Sequence, residues 1–544
     1  MLSWEQTISF PSLTLVATAE SMFFVNFFAT GLTSQTRFIS LIGIFLANYA
    51  ILPVYWIYIY RLYLSPLCNL PGPKTVITVT NRAMFETKRA PGDLFMDVAN
   101  EYPGEELLCL SPLQQQLLVT KPRLLADILV HHPYDFIKPK PTTRFLRYVL
   151  GDGLIIVEGD QHKFLRKNTM PAFNFRHIKD LYPMMWRKAE LLTTVLRQQY
   201  LGSGEESVVV DLSTWASRVT LDIIGIAGLG REFNTLKTPT DPIQNIYEEL
   251  LEPSSEKMAY AFLSFIIGIP AVRLIPWRMN GVFRRLTTSL SSICMNMIQD
   301  KRAAIVKNQD SHFDILSLLI KSGNFSDIEL KDQLLTFLAA GHETTSSVLT
   351  WACYLLAKHS TWQERLRQEI ANCLPMNEPV DQRVDLAAAL EHLPALNGIM
   401  NETLRLYPTV PLTMREAICD TSLAGHPIPK GTRIAISTWL INRSTETWGP
   451  DAGEFHPERW ITQAGKPNQT GGASSNYDFV TFLHGPRSCI GQGFARAEMR
   501  CLLAALVRSF SWELAMDEKD ILPRGVITIK PANGMYLRLK PLIN

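Results

Sequence analysis

Two long apolar runs open the chain, and helical periodicity follows. Phe38 to Tyr60 (FISLIGIFLANYAILPVYWIYIY) carries no charge over 23 residues, enough to cross a hydrocarbon layer roughly 30 Å thick. Pro53 marks a kink, and Tyr55, Trp56, Tyr58 and Tyr60 suit a membrane interface. An earlier run, 8–32, is broken by Glu20 and reads equally as a second span or as an interfacial segment. No basic stretch precedes these runs, so a cleaved signal peptide is not expected. The pattern predicts an N-terminal membrane anchor over 1–64. Residues 65–74 (SPLCNLPGPK) form a proline-rich hinge, stiffened by Pro66, Pro71 and Pro73. Residues 465–476 (GKPNQTGGASSN) are polar and glycine-rich and predict a surface loop.

Two later helical patterns carry chemistry. Leu334 to Ala357 (LLTFLAAGHETTSSVLTWACYLLA) is apolar except between Gly341 and Ser347. Ala339, Ala340 and Gly341 remove bulk from one face, leaving room for something large and flat. Glu343 and Thr344 set an acid and an alcohol at one level. A threonine there can bond back to a carbonyl one turn earlier and distort the helix, giving a chain of groups suited to proton delivery. The bland alternative is a polar stripe facing solvent. His342 does not make a zinc site, because HExxH is absent. Farther on, Phe494, Met499, Leu502, Leu503, Leu506 and Val507 predict a helix. It begins just after Cys489 in "FLHGPRSCIGQGFA", residues 482–495. Backbone N–H groups and the helix dipole favour a thiolate at such a place. The flanking glycines permit a tight turn or a close approach.

Composition narrows the class. The chain has 544 residues and a net charge of +2, so it does not read as a general nucleic-acid binder. Its eight cysteines contain no CxxC pair, which argues against a zinc ribbon or a disulfide framework and fits a reducing environment. Length alone suggests more than one domain, and no internal repeat is visible.

"NETLRLYP" (401–408) places Glu402 and Arg405 on one helix face, and "FHPERW" (455–460) brings Arg459. With these, the order and spacing resemble the cytochrome P450 family, the haem-thiolate monooxygenases, from about residue 66 to the end. The family's cysteine loop, Phe-x-x-Gly-x-Arg-x-Cys-x-Gly, is matched by Phe482, Gly485, Arg487, Cys489 and Gly491. Its small-Gly-x-acid-Thr motif is matched by Ala340, Gly341, Glu343 and Thr344. Its Glu-x-x-Arg pair is matched by Glu402 and Arg405, and its Pro-Glu-Arg-aromatic segment by Pro457 to Trp460.

The resemblance implies a mostly α fold with a small β lobe, forming one catalytic domain over 75–544. It implies haem b, with Cys489 as the axial iron ligand and Glu343 and Thr344 as the catalytic pair. Phe482, Gly485, Gly491 and Ala340 are expected against the haem, and Arg166, Arg415 and Arg487 at its propionates. His162 departs from the family pattern, standing where a tryptophan is usual. It reads either as a propionate partner or as a plain surface histidine. Glu402, Arg405 and Arg459 are expected to form a buried structural charge network. Substrate contacts are implied near 142–154, at Phe337 and Ala340, and over 409–414 and 526–528. Their apolar character suits a hydrophobic small molecule.

Electrons are expected from NADPH through a flavoprotein reductase, with a small haem protein as a further donor. Lys163, Arg166, Lys167, Arg176 and Lys179 form either its docking face or a solvated basic helix. Residues 259–269 read as a core helix or as a segment dipping into lipid. Positive charge is denser after residue 60 than before it, which places the catalytic part on the cytoplasmic side of the endoplasmic reticulum membrane. The whole resembles microsomal members that tailor terpenoid or polyketide metabolites in fungal secondary metabolism. Two alternatives stay open: an isomerase or dehydratase that acts on a peroxide without external O2, and a haem sensor without turnover.

Overall fold

The computed structural model describes residues 10–542 except 29–30, 32, 76–77, 85, 87, 204–205, 239–245, 247–248, 250–254, 308–313, 375–383 and 526. Helices dominate, and the strands fall into small sheets. The chain divides into two compact units. One comprises 1–82, 95–137 and 414–436; the other comprises 83–94, 138–413 and 437–544.

The smaller unit holds a five-stranded sheet in the order 107–111, 116–119, 433–436, 413–417, 136–137. Strand 116–119 pairs parallel with 433–436, while 107–111 pairs antiparallel with 116–119. Strands 107–111 and 116–119 are buried throughout. Residues 65–74 pack onto this sheet: Leu67 and Leu70 are buried, and the Cys109 N–H donates to Pro71 O at 2.7 Å. A Cβ at Gly72 would lie 2.4 Å from Cys109 O, so only glycine permits that approach.

At the N-terminus of this unit, helices Phe10–Phe28 and Ser34–Val54 pack against each other. The second continues as a π-helix over Tyr55–Leu64. Pro53 supplies no N–H to an α-helical ladder, and α winding gives way to π winding two residues later. Among the described residues no helix is long and apolar enough to cross a membrane. The uncharged run 38–60 is therefore divided between two kinds of helix instead of forming one continuous α-helical span.

The larger unit is built around the 32-residue helix Asp327–Lys358, here called the long helix. Ser326 caps it: its side chain accepts from the Glu329 N–H, and Glu329 accepts from the Ser326 N–H. Asp327 and Glu329 in the first turn and Lys358 in the last suit the helix dipole. Helix Leu212–Leu229 packs along it, and helix Gln492–Ser509, the cysteine helix, crosses it. The apolar positions expected on the cysteine helix, Phe494 to Val507, are all buried. A three-stranded antiparallel sheet (208–211, 536–541, 510–514) and the hairpin 523–524/530–531 complete the unit.

Candidate active site

The long helix runs unbroken through its polar centre, so the distortion expected there does not appear. Thr344 Oγ1 donates to Ala340 O at 2.7 Å and Thr345 Oγ1 to Gly341 O at 2.9 Å, so two hydroxyls bond back one turn. Ala340 keeps open surface in the middle of a helix whose neighbours Leu338 and Thr345 are buried. Gly341 has a role beyond the one expected of it. A Cβ there would sit 3.1 Å from Ile224 Cδ1, so its missing side chain lets helix 212–229 come close. His342 turns to that helix too: its Nε2 lies 2.8 Å from Ser217 Oγ, and burial, then Lys530, push its pKa down to about 3. His342 therefore faces protein and not solvent, while Glu343 and Thr344 keep part of their surface accessible.

The cysteine loop is held by its own backbone. Leu483 and Gly485 both take left-handed conformations, at φ 54° and 73°, and the Cys489 N–H donates to Phe482 O at 2.8 Å. Strain of this kind at a non-glycine residue persists only where the surroundings enforce it. The Cys489 sulfur is surrounded by protein, yet the residue keeps accessible surface. Its thiol thus opens on an internal face. Burial pushes the thiol up, and the Gly491 N–H and the Arg166 charge offset this only in part. The helix-start position alone does not produce a thiolate, whereas coordination to a metal cation would deprotonate it outright.

Basic groups gather beside this loop. Arg166, on helix Gly159–Thr169, donates to Ser488 O at 2.5 Å and to Ser488 Oγ at 3.1 Å. Arg487 is ion-paired with Glu158, which also accepts from Lys138 N at 3.0 Å and lies 3.2 Å from its Nζ. Burial opposes ionisation of Glu158, but Lys138 and Arg487 outweigh it and hold the carboxyl below its usual range. His162 is buried, not a surface histidine. Burial, then Lys138 and Arg487, push its pKa down to about 4, so it presents a neutral ring. Arg415 lies in the sheet of the smaller unit, where it is buried and donates to Met414 O at 2.9 Å.

Glu402 and Arg405 are fully buried and bonded twice, at 2.7 and 2.9 Å. Glu402 also accepts from Trp460 Nε1 at 2.8 Å and from the His456 N–H at 3.0 Å. Arg405 donates to the carbonyls of Asn442, Ala452 and Glu454. Arg459 stands 3.6 Å from Glu402 and pairs with Asp451 at 2.5 Å. Every lobe of this buried pair is thus satisfied.

Of the segments tied to substrate, 151–154 is pressed against the long helix: Asp152 N donates to Asp332 at 2.9 Å and Leu154 N to Gln333 at 3.2 Å. Phe337 is buried in edge contact with Phe173 at 5.5 Å. Val526 lies outside the described residues. Glu158, Ser488 and Lys530 were missed by sequence reasoning, and Thr528 was expected at the substrate and not beside Glu343. No local pattern marks them; Glu158 and Arg487 are 329 positions apart.

The family profile described as Cytochrome P450 matches residues 70–538. The cytochrome P450 monooxygenase sphH of Aspergillus fumigatus is 40% identical over 496 residues, covering 90% of this chain and 91% of that protein. The cytochrome P450 monooxygenase ptmK of Penicillium ochrochloron is 38% identical, covering 92% of this chain and 98% of that protein. The cytochrome P450 monooxygenase abl5 of Leptosphaeria maculans is 32% identical, covering 98% of both. The chain belongs to the cytochrome P450 family. It is accordingly an oxidoreductase of the monooxygenase class, and membership implies haem on a cysteine thiolate. The residues present fit such a group. A cysteine and an alanine open inward, guanidinium and imidazole groups stand beside the loop, and His484 Nε2 in that loop is buried with no hydrogen-bond partner among the described residues.

Proposed function

We propose that this protein inserts one oxygen atom of O2 into a hydrophobic small molecule of terpenoid or polyketide type, with Cys489 as the haem ligand and Glu343 and Thr344 delivering protons. When bound, the haem supplies electron transfer and O2 activation, and the thiolate's electron donation favours O–O cleavage. Phe482, Gly485, Gly491 and Ala340 give it a close-fitting wall. Arg166, Arg487 and Arg415 serve its propionates, with the neutral His162 offering one N–H. Arg166 has a second duty, tying helix 159–169 to the cysteine loop through Ser488. The Glu402–Arg405–Arg459 network holds the scaffold.

The acid–alcohol pair carries the reading. Thr344 is fixed to Ala340 O, and beside it burial pushes the Glu343 carboxyl up, against Lys530 and a hydrogen bond from Thr528. A carboxyl raised above its ordinary range holds its proton more firmly and suits a proton donor. An isomerase or dehydratase acting on a peroxide has no use for this, and a carrier still less.

Electrons would come from NADPH through a flavoprotein reductase, with a small haem protein as a further donor. Lys163, Lys167, Arg176 and Lys179 are exposed, interleaved with exposed Phe164, Met170 and Phe175, and offer charge with apolar contact for docking. Arg166 is not part of that face, since it points into the cysteine loop. Two of the lysines already have carboxylate partners, Asp160 and Asp385.

The helices over 10–64 would hold the enzyme on the endoplasmic reticulum membrane. Phe23, Phe24, Phe27, Phe28, Phe38 and Leu46 are at least half exposed there, a large apolar surface for a soluble chain. Uptake of oxygen that requires both NADPH and the reductase, with product lost from a strain lacking the protein, is the expected result. Product formed without NADPH would favour the isomerase.

A further inference from the structure

The acid at the polar centre of the long helix is not left to that helix alone. The C-terminal hairpin, Pro523–Arg524 paired with Lys530–Pro531, lies over the same stretch. Its tip turns sharply: a Cβ at Gly525 would fall 1.7 Å from Thr528 O, so the bend admits only glycine. Ile529 is pinned on both sides. Its N–H donates to Thr409 O at 2.8 Å, and its carbonyl accepts from Ser347 Oγ at 2.5 Å. Ser347 lies four residues after Glu343, hence on the same face one turn along. The residues flanking this anchor, Thr528 and Lys530, are the ones that act on Glu343: the first hydrogen-bonds its carboxyl, and the charge of the second bears on it. Lys530 also acts on His342, so its ammonium serves both polar positions of this turn.

We propose that Lys530, which the Ile529 anchor sets beside the turn of Glu343 and Thr344, is a positioning residue for the monooxygenase reaction, its charge favouring release of the Glu343 proton. The proposal rests on the reading of Glu343 as proton donor. Burial drives that carboxyl toward its protonated form, and the ammonium opposes it. With the charge removed, the acid would keep its proton and deliver it less readily. The hairpin thereby ties a segment implied in substrate contact to the proton-delivery residues.

The test uses full-length, haem-loaded enzyme with an NADPH-dependent reductase and no added substrate. Lys530→Met and Lys530→Gln remove the charge, Lys530→Arg keeps it, and Glu343→Gln removes the acid. All should retain the carbon-monoxide spectrum of thiolate-bound haem. Hydrogen peroxide released per NADPH should rise several-fold in Lys530→Met, as in Glu343→Gln, and return to the wild-type value in Lys530→Arg. Independently of turnover, the infrared carboxylic-acid band that Glu343→Gln abolishes should be stronger in Lys530→Met than in wild type. If Glu343→Gln raises peroxide and Lys530→Met does not, the role of Lys530 is overturned. If Glu343→Gln itself changes nothing, the reading of Glu343 fails instead, and an unaltered infrared band in Lys530→Met then overturns the positioning as well. Loss of haem in both uncharged variants would make Lys530 a structural residue and end the proposal.

Discussion

Cys489 and Cys501 share a chemistry and differ only in what surrounds them. Cys501 is wholly buried within the cysteine helix, and burial pushes its thiol far up, so it is inert packing. Cys489 opens on an internal face. Cys489→Ala should lose the reduced carbon-monoxide spectrum of a thiolate haem and most bound haem. Cys501→Ala should keep the spectrum and lower stability by about 1 kcal/mol. A thiolate-type spectrum in the Cys489→Ala protein would remove it as the ligand. The same contrast holds for the basic residues: Arg166, Arg487 and Lys138 are all cations, but they bond different oxygen-bearing neighbours, Ser488 for the first and Glu158 for the others.

Elements meet here by leaving atoms out. Helix 212–229 approaches the long helix at Gly341, and the turn 151–154 approaches it at Gly153. A Cβ at Gly153 would lie 2.0 Å from Thr336 Oγ1 and 2.6 Å from Asp332 O, against a hydroxyl and a backbone oxygen. Backbone cannot yield as a flexible side chain does, so Gly153→Ala should cost roughly 1–3 kcal/mol. The loss should appear as a lower thermal midpoint and as faster amide exchange around 151–157. An unchanged midpoint would mean that the turn moves freely off the long helix. The polar loop 465–476 also reaches inward, since a Cβ at Gly471 would touch Trp448 and Trp460 at 2.9 and 3.0 Å.

At the scale of the molecule, buried neutral histidines set the response to acid. His342 takes up a proton near pH 6.5 when unfolded but only near pH 3 when folded. Between those values the unfolded chain binds more protons, so stability is complete above pH 6.5 and falls as the pH drops. The shift sets an upper figure of about 5 kcal/mol for this one group. His342→Gln should flatten the decline in urea midpoint between pH 6.5 and 4, while an equally steep decline would assign it to other groups. Orientation at the membrane is the second question of this scale. Four Asn-x-Ser/Thr sites report on it, and a cytoplasmic enzyme carries sugar on none. Asn401 and Asn442 are buried, and Asn468 is half-buried with its amide 3.4 Å from Arg459 O. Asn324, which is exposed, is therefore the better reporter than the loop site. A glycosidase-sensitive mass that vanishes in Asn324→Gln would reverse the orientation, and release of the protein by alkaline carbonate would argue against the anchor.

Local signals were enough for the sequence to determine these helices and the family they belong to. Helical periodicity identified the long helix and the cysteine helix, and short spacings picked out Cys489, the Glu343–Thr344 pair and the Glu402–Arg405 pair, because each lies within one short stretch of chain. The same information marked Phe38–Tyr60 as apolar, but it could not say that the winding changes at Tyr55. Tertiary structure alone decided the partners: Glu158 for Arg487, Ser488 for Arg166, Ile224 for Gly341, and Thr528 with Lys530 for Glu343. It also decided that His162 is buried and neutral. These depend on charges and surfaces brought together from up to 329 positions away, and desolvation, which sets the state of each acid and base, exists only once the chain has closed around them.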